Sequence, residues 1–203
     1  MVSKHTIMRL FGEAANASRL TSLVERRYGG AGTIFMLHSI VSDDDYLPKE
    51  NIHTSAGFLE AMIRHYQRTG TPIVSLSEAM QRMATGSDRR FVSFIFDDSS
   101  RDNLTLALPL FKKHNVTYSI FISNAFLDRT YPEYWWGQLR HLVTDQALIE
   151  TEMFAKPLPA ATQREKIATY LTLQKAMDSG RMAEAERNAL FDRYHMPITE
   201  ALD

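Results

Sequence analysis

The sequence contains no cysteine. Disulfides, thiolate metal sites and a cysteine nucleophile are therefore excluded, and Asp, Glu and His are left as the ligands for any metal. It lacks a charge bias: Lys and Arg together number 23 against 24 for Asp and Glu, so no net field draws the chain to nucleic acid or to anionic lipid. Long apolar runs are missing too, and nothing approaches the roughly 20 residues of a spanning helix. The stretch from Met1 through Lys4, His5 and Arg9 to Phe11 has no continuous apolar segment of the signal-peptide kind. No membrane span, no nucleic-acid partner and a cytoplasmic location are the expectations. Repeats and low-complexity tracts are absent as well.

What is present is the apolar content of a folded protein, 44% hydrophobic and 23% charged residues. Three parts are expected: a helical arm over residues 1–30, an α/β part over 31–128, and a helical insertion or cap over 129–203. In the arm, Ile7, Leu10, Phe11, Ala14, Leu20, Leu23 and Val24 follow helical spacing up to Gly29 and Gly30. Residues 33–37 then form a short apolar run that reads as a buried strand ending at His38. Thr54 or Ser55 can cap a helix with Phe58, Leu59, Met62, Ile63 and Tyr66 on its apolar face, stopped by Gly70. Residues 72–76 read as a second, shorter strand, and Ser77 as the cap of a helix carrying Met80 and Met83.

Residues 91–96 are the clearest strand. The acidic pair Asp97 and Asp98 follows, then a helix with Leu104, Ala107, Leu108 and Phe111 on one face, which Pro109 should bend. Residues 116–122 complete a fourth strand. Strands alternating with helices across short connections predict a parallel α/β sheet. Beyond Asp128 the alternation gives way to helices at about 134–150, 161–178 and 181–194.

In parallel α/β architectures ligands gather at the C-terminal ends of strands, where Asp97 and Asp98 fall. Adjacent carboxylates repel, which raises one pKa unless a cation or hydrogen-bond donors compensate. The bland alternative turns Asp97 to solvent and makes Asp98 a helix cap, but Ser99, Ser100 and Asp102 could cap equally well. His38 reads either as part of the pocket or as a polar loop or core histidine. His114, beside Lys112 and Lys113, is explained by a helix C-terminus. Trp135 and Trp136 suit anchoring of the helical region better than stacking on a sugar.

The segment from Phe94, Ile95, Phe96, Asp97, Asp98 through Leu108 and Pro109 to Phe121 and Ile122 resembles the first motif of the polysaccharide deacetylases, carbohydrate esterase family 4. Met36, Leu37 and His38 resemble that family's early Met-Tyr-His strand, and the likeness covers roughly residues 33–127. It implies a partial (β/α) barrel of the deacetylase type, with about four parallel strands and a C-terminal helical insertion. It further implies hydrolysis of N-acetyl groups on amino sugars of an oligo- or polysaccharide. By motif position Asp97 would be the general base and Asp98 the ligand of a divalent metal, zinc before cobalt or nickel, that polarises the carbonyl and acidifies water. The sequence departs from the family at Ser99, where the motif has glycine. It also lacks the later His-x-x-x-His metal motif, since the seven histidines include no pair at that spacing.

Three expectations follow from these departures. The chain stops within or just after the helical insertion, its metal site incomplete and its activity in question. An exposed sheet edge is covered by its own helices or by a second copy in a homo-oligomer. A non-catalytic carbohydrate-binding or regulatory relative is the main alternative. A magnesium-dependent phosphoryl-transfer site is a minor one, because Ser99 interrupts the spacing it needs.

Overall fold

A computed structural model describes residues 29–47, 52–86, 89–98, 100–124 and 135–196. The expected arm therefore lies outside the described residues up to residue 28, as does Ser99. The elements run β1 (Gly32–Leu37), β2 (Ser39–Val41), β3 (His53–Ser55), α1 (Ala56–Thr69), α2 (Leu76–Thr85) and β4 (Phe91–Phe96). A π-helical turn (Asn103–Ala107) then leads into α3 (Leu108–Lys113) and β5 (Ser119–Ile120). The helical region comprises α4 (Trp135–Asp145), β6 (Leu148–Ile149), β7 (Leu158–Pro159), α5 (Gln163–Asp178) and α6 (Glu184–Arg193).

Among the described residues the largest sheet is parallel, as expected, but has three strands, in the order β1-β4-β5, where about four were expected; β2 pairs with β3 in parallel and β6 with β7 antiparallel, each apart from it. The run at residues 72–76 is not a full strand: Ile73 makes one parallel bridge to Val92. Pro72 supplies only an acceptor there, to Val92 N at 2.9 Å, because proline has no N–H to extend a ladder. Likewise, the expected fourth strand is shortened to Ser119 and Ile120, with Phe121 N–H donating to the Phe96 carbonyl at 2.7 Å just beyond them. At the start of the β1–β4 pair, a Cβ on Gly32 would meet the Phe91 ring and carbonyl at 2.7 Å, so only glycine lets the two backbones close there.

Helix α1 begins where the sequence places it, with Ser55 Oγ accepting from Phe58 N at 3.2 Å. It ends at Gly70, whose φ of 71° is the left-handed stop that glycine adopts without strain. Leu59 and Ile63 are buried, whereas Phe58, expected on the apolar face, is exposed. The cap of α2 is Ser75 and not Ser77; Ser75 Oγ accepts from Glu78 N. Ala79 packs inward with Val74 and Phe91, while Met80 and Met83 are exposed.

Pro109 disturbs its helix as expected, and the disturbance takes the form of the π turn ahead of it, closed by Leu108 N–H on the Asn103 carbonyl. The wider turn changes which residues face inward. Asn103, Ala107 and Phe111 are buried, while Leu104, expected on the inner face, is 65% exposed.

Two main clusters of buried side chains result. One joins Phe94, Phe96, Leu59, Ile63 and Phe111 beneath the parallel sheet. The other is built by the helical region from Leu139, Leu142, Tyr170, Leu173 and Phe191, and it also takes in Leu47 from the loop after β2. Trp135 packs against this second cluster, in keeping with an anchoring role. No helix among the described residues is long and apolar enough to cross a membrane. Phe111 contacts the rings of Phe94, Phe96 and Tyr118. Phe111→Ala is therefore expected to cost about 3–5 kcal/mol in urea unfolding; a loss under about 1 kcal/mol would contradict this packing.

Candidate functional site

Pairing of β1 with β4 sets Leu37 opposite Phe96, so both strands stop at the same level. The pairing extends one step further, with Asp97 N–H donating to the Leu37 carbonyl at 2.9 Å. His38 and the acidic pair therefore leave the sheet side by side. The structure brings together the three residues singled out in the sequence, each of them half-buried.

Asp98 adopts φ 68°, the left-handed region in which Asp and Asn are the least disfavoured residues after glycine. Burial raises its carboxyl pKa above the ordinary range and the charge of Asp97 adds to this, while His38 opposes both. A carboxyl held in this way has a standing preference for a cation or a proton.

The loop carrying the pair is tied to the loop carrying His38 by Asp102 and Asn103. Asp102 accepts from Ser39 Oγ at 2.7 Å, from Ile40 N at 2.7 Å and from Ser100 Oγ at 2.9 Å. Buried Asn103 donates from Nδ2 to the His38 carbonyl at 2.9 Å. Sequence reasoning weighed Asp102 only as a helix cap and passed over Asn103. The available signal was an Asp-Asn pair one turn into a helix that Ser99 and Ser100 could already cap.

On the far side of this tie lies a cleft of about 710 Å³ between the strand-end loops and helices α4 and α5. Ser39, Ser100, Asp102, His53, Arg140 and His141 are among its walls; His38, Asp97 and Asp98 are not. His53, which the sequence did not single out, has its pKa lowered from 6.5 to about 3 by burial, with Arg140, His141 and His38 adding to the effect. His114, assigned to a helix end, also meets Glu60 Oε1 at 3.0 Å. Lys113 and His114 hydrogen-bond that carboxyl and hold its pKa at about 2.

A catalytic zinc needs three protein ligands, and no group of three His, Asp or Glu side chains that could hold a metal occurs among the described residues. The described residues alone thus do not fit a complete metal centre.

No family model and no curated protein matches the chain. Among solved structures it is similar to a deacetylase from Streptococcus pyogenes in complex with acetate, at 18% identity and TM-score 0.41 over 49% of this chain and 46% of that one. A de-N-acetylase from Aggregatibacter actinomycetemcomitans also has 18% identity and TM-score 0.41, over 73% of this chain and 51% of that one. A polysaccharide deacetylase from Bacillus cereus has 16% identity and TM-score 0.38, over 50% of this chain and 31% of that one. The chain spans about half, or less, of the length of these structures.

Two predictions follow from the site. Asp98→Gly removes both the left-handed strain and a poorly solvated charge, which outweighs the added freedom of the unfolded chain, so the variant is expected to be more stable by about 1 kcal/mol in urea unfolding. A less stable variant would contradict the conformation described. Because the folded chain keeps His53 neutral to about pH 3 while the unfolded chain protonates it near 6.5, the unfolded state binds more protons in that window. Stability is then full above 6.5 and falls as the pH drops toward 3, by up to about 1.4 kcal/mol per pH unit from this group. His53→Gln should flatten the decline between about pH 7 and pH 5, as read from urea midpoints; an unchanged slope would contradict a buried neutral His53.

Proposed function

We propose that this chain carries the acid-base corner of a hydrolase that removes N-acetyl groups from amino sugars of an oligo- or polysaccharide. The observation that carries this reading is the convergence of Asp97, Asp98 and His38 at the C-terminal end of the parallel β1–β4 pair. The order of residues from Phe94 to Ile122, which resembles the deacetylase motif, supports it.

In this reading Asp97 takes the proton from the attacking water, a step worth about 10²–10⁴-fold in rate when the base is well placed. Asp98, beside His38, is the anionic group that a divalent cation such as zinc would meet. That cation would supply carbonyl polarisation, but its site needs donors beyond the described residues. The alternative is a carbohydrate-binding relative that keeps the corner without turnover.

The test is acetate release from N-acetylglucosamine oligosaccharides by the purified chain with added zinc. Release is expected, and Asp97→Asn should lower it at least about 100-fold. Binding of the oligosaccharide with no acetate released would select the non-catalytic alternative. Equal release by the wild type and Asp97→Asn would remove Asp97 from the mechanism.

A further inference from the structure

We infer that the end of the molecule formed by the C-termini of α1 and α3 and the residues just ahead of β4 is an electrostatic docking surface for an anionic lipid bilayer. The inference is independent of the hydrolytic reading, because none of its residues belongs to the acidic corner or to the cleft beside it.

The balanced composition conceals a separation of charge along the strands. Arg64 Nη2 and Lys113 Nζ both meet Glu60 Oε1 at 2.8 Å, which ties α1 to α3. Gln67 Nε2 donates to the His114 carbonyl at 2.9 Å, and Arg89 Nη2 donates to the Gly70 carbonyl at 3.4 Å. Arg68 lies in the last turn of α1 and Lys112 in that of α3. These contacts gather Arg64, Arg68, Arg89, Lys112 and Lys113 at one end, and α1, α3 and the described residues just ahead of β4 carry a single carboxylate, Glu60. Glu60 does not shield them: it is 20% exposed, whereas Arg64 and Lys113 stay 64% and 56% exposed, so the cations face the solvent. Asp97, Asp98 and Asp102 fall beyond the other end of β4, a strand of six residues, which spans roughly 20 Å. That is about two Debye lengths at 0.1 M salt, so those carboxylates barely oppose an anionic surface at the basic end.

Shape selects among the anionic partners. Small ligands are held in concave sites, and single-stranded nucleic acid in a positively charged groove with stacking platforms. Arg64, Arg68, Arg89 and Lys113 line neither the cleft of about 710 Å³ nor the pocket of about 340 Å³ beside α3. They stand instead on an open face assembled from three segments. Such a face fits an extended charged plane, where each Lys or Arg near the surface contributes about fivefold in affinity. Docked in this way, the molecule turns Asp97 and Asp98 away from the bilayer.

Co-sedimentation with phosphatidylcholine vesicles containing about one third phosphatidylserine, in about 0.1 M salt, tests this. The chain carries a net charge of -1, so evenly spread charge would give no attraction and binding requires a local patch. The wild type should sediment with these vesicles, should not sediment with pure phosphatidylcholine, and should be released at about 0.5 M salt. Arg68 and Lys112 are exposed and pair with no carboxylate among the described residues, so an Arg68→Gln/Lys112→Gln variant should fold; matching far-ultraviolet circular dichroism checks that. It should bind about 25-fold more weakly. Lys156→Gln/Arg181→Gln makes the same change of net charge on the exposed surface of the helical region and should bind within about twofold of wild type. No binding to the phosphatidylserine vesicles, equal weakening by the two variants, or equal binding to pure phosphatidylcholine would overturn the docking surface. Competition in which long-chain polyphosphate or single-stranded DNA binds more tightly than the vesicles would also overturn it, by making a soluble polyanion the partner. None of these outcomes depends on acetate release, so the docking surface and the hydrolytic reading fail separately.

Discussion

The in-register parallel pairing of β1 with β4 is the constraint on which the rest of this structure depends. In a parallel pair the last residues of both strands emerge on the same side of the sheet, and here Leu37 and Phe96 emerge at the same level. A slip of one residue would reverse the faces of β1 and carry His38 away from Asp98. Gly32 guards the register at the opposite end, where any side chain would strike Phe91. Burial of Phe94 and Phe96 beneath the sheet holds β4 in place. The site is thus a consequence of how two strands pack, with their loops adding the detail.

Those loops are not left to fluctuate. A single carboxylate, Asp102, satisfies the Ile40 amide and two serine hydroxyls, and its neighbour Asn103 takes up the His38 carbonyl. Charge-assisted bonds of this kind are roughly twice as strong as neutral ones. The π turn ahead of Pro109 begins at Asn103, whose side chain is buried there, and such turns recur at functional sites. Strain at Asp98 fits the same picture, because a left-handed, partly desolvated aspartate persists only where its surroundings fix it. The same Asp102 network forms one wall of the cleft beside the helical region. Corner and cleft therefore share a support.

Much of this was legible in the sequence because it rests on local chemistry. Apolar runs located β1 and β4 and helical spacing located α1, and the side-chain caps and stop at Ser55 and Gly70 act within one turn of chain. The run at 33–37 did not show that β1 is an outer strand with no buried residue, Met36 being 59% exposed, where a buried strand was expected. The corner was legible because strand ends and carboxylates are both visible in a linear string. What stayed hidden depends on distant partners. Asp102 looks like any helix cap until Ser39 is brought alongside it, and His53 looks like a polar loop residue until the fold buries it near the charges of Arg140 and His141. The π turn could not be read either, since Pro109 announces a disturbance without saying which way the helix yields. Residues 72–76 looked like a strand by composition, and pairing geometry reduced them to one bridge at Ile73.

The β1–β4 register can be read directly by the through-hydrogen-bond scalar coupling between an amide nitrogen and its acceptor carbonyl carbon in a long-range HNCO spectrum of labelled protein. The account predicts a correlation from the Asp97 amide to the Leu37 carbonyl, matching the 2.9 Å contact. A correlation from the Asp97 amide to any other carbonyl of β1 would contradict it, and with it the meeting of His38 and Asp98.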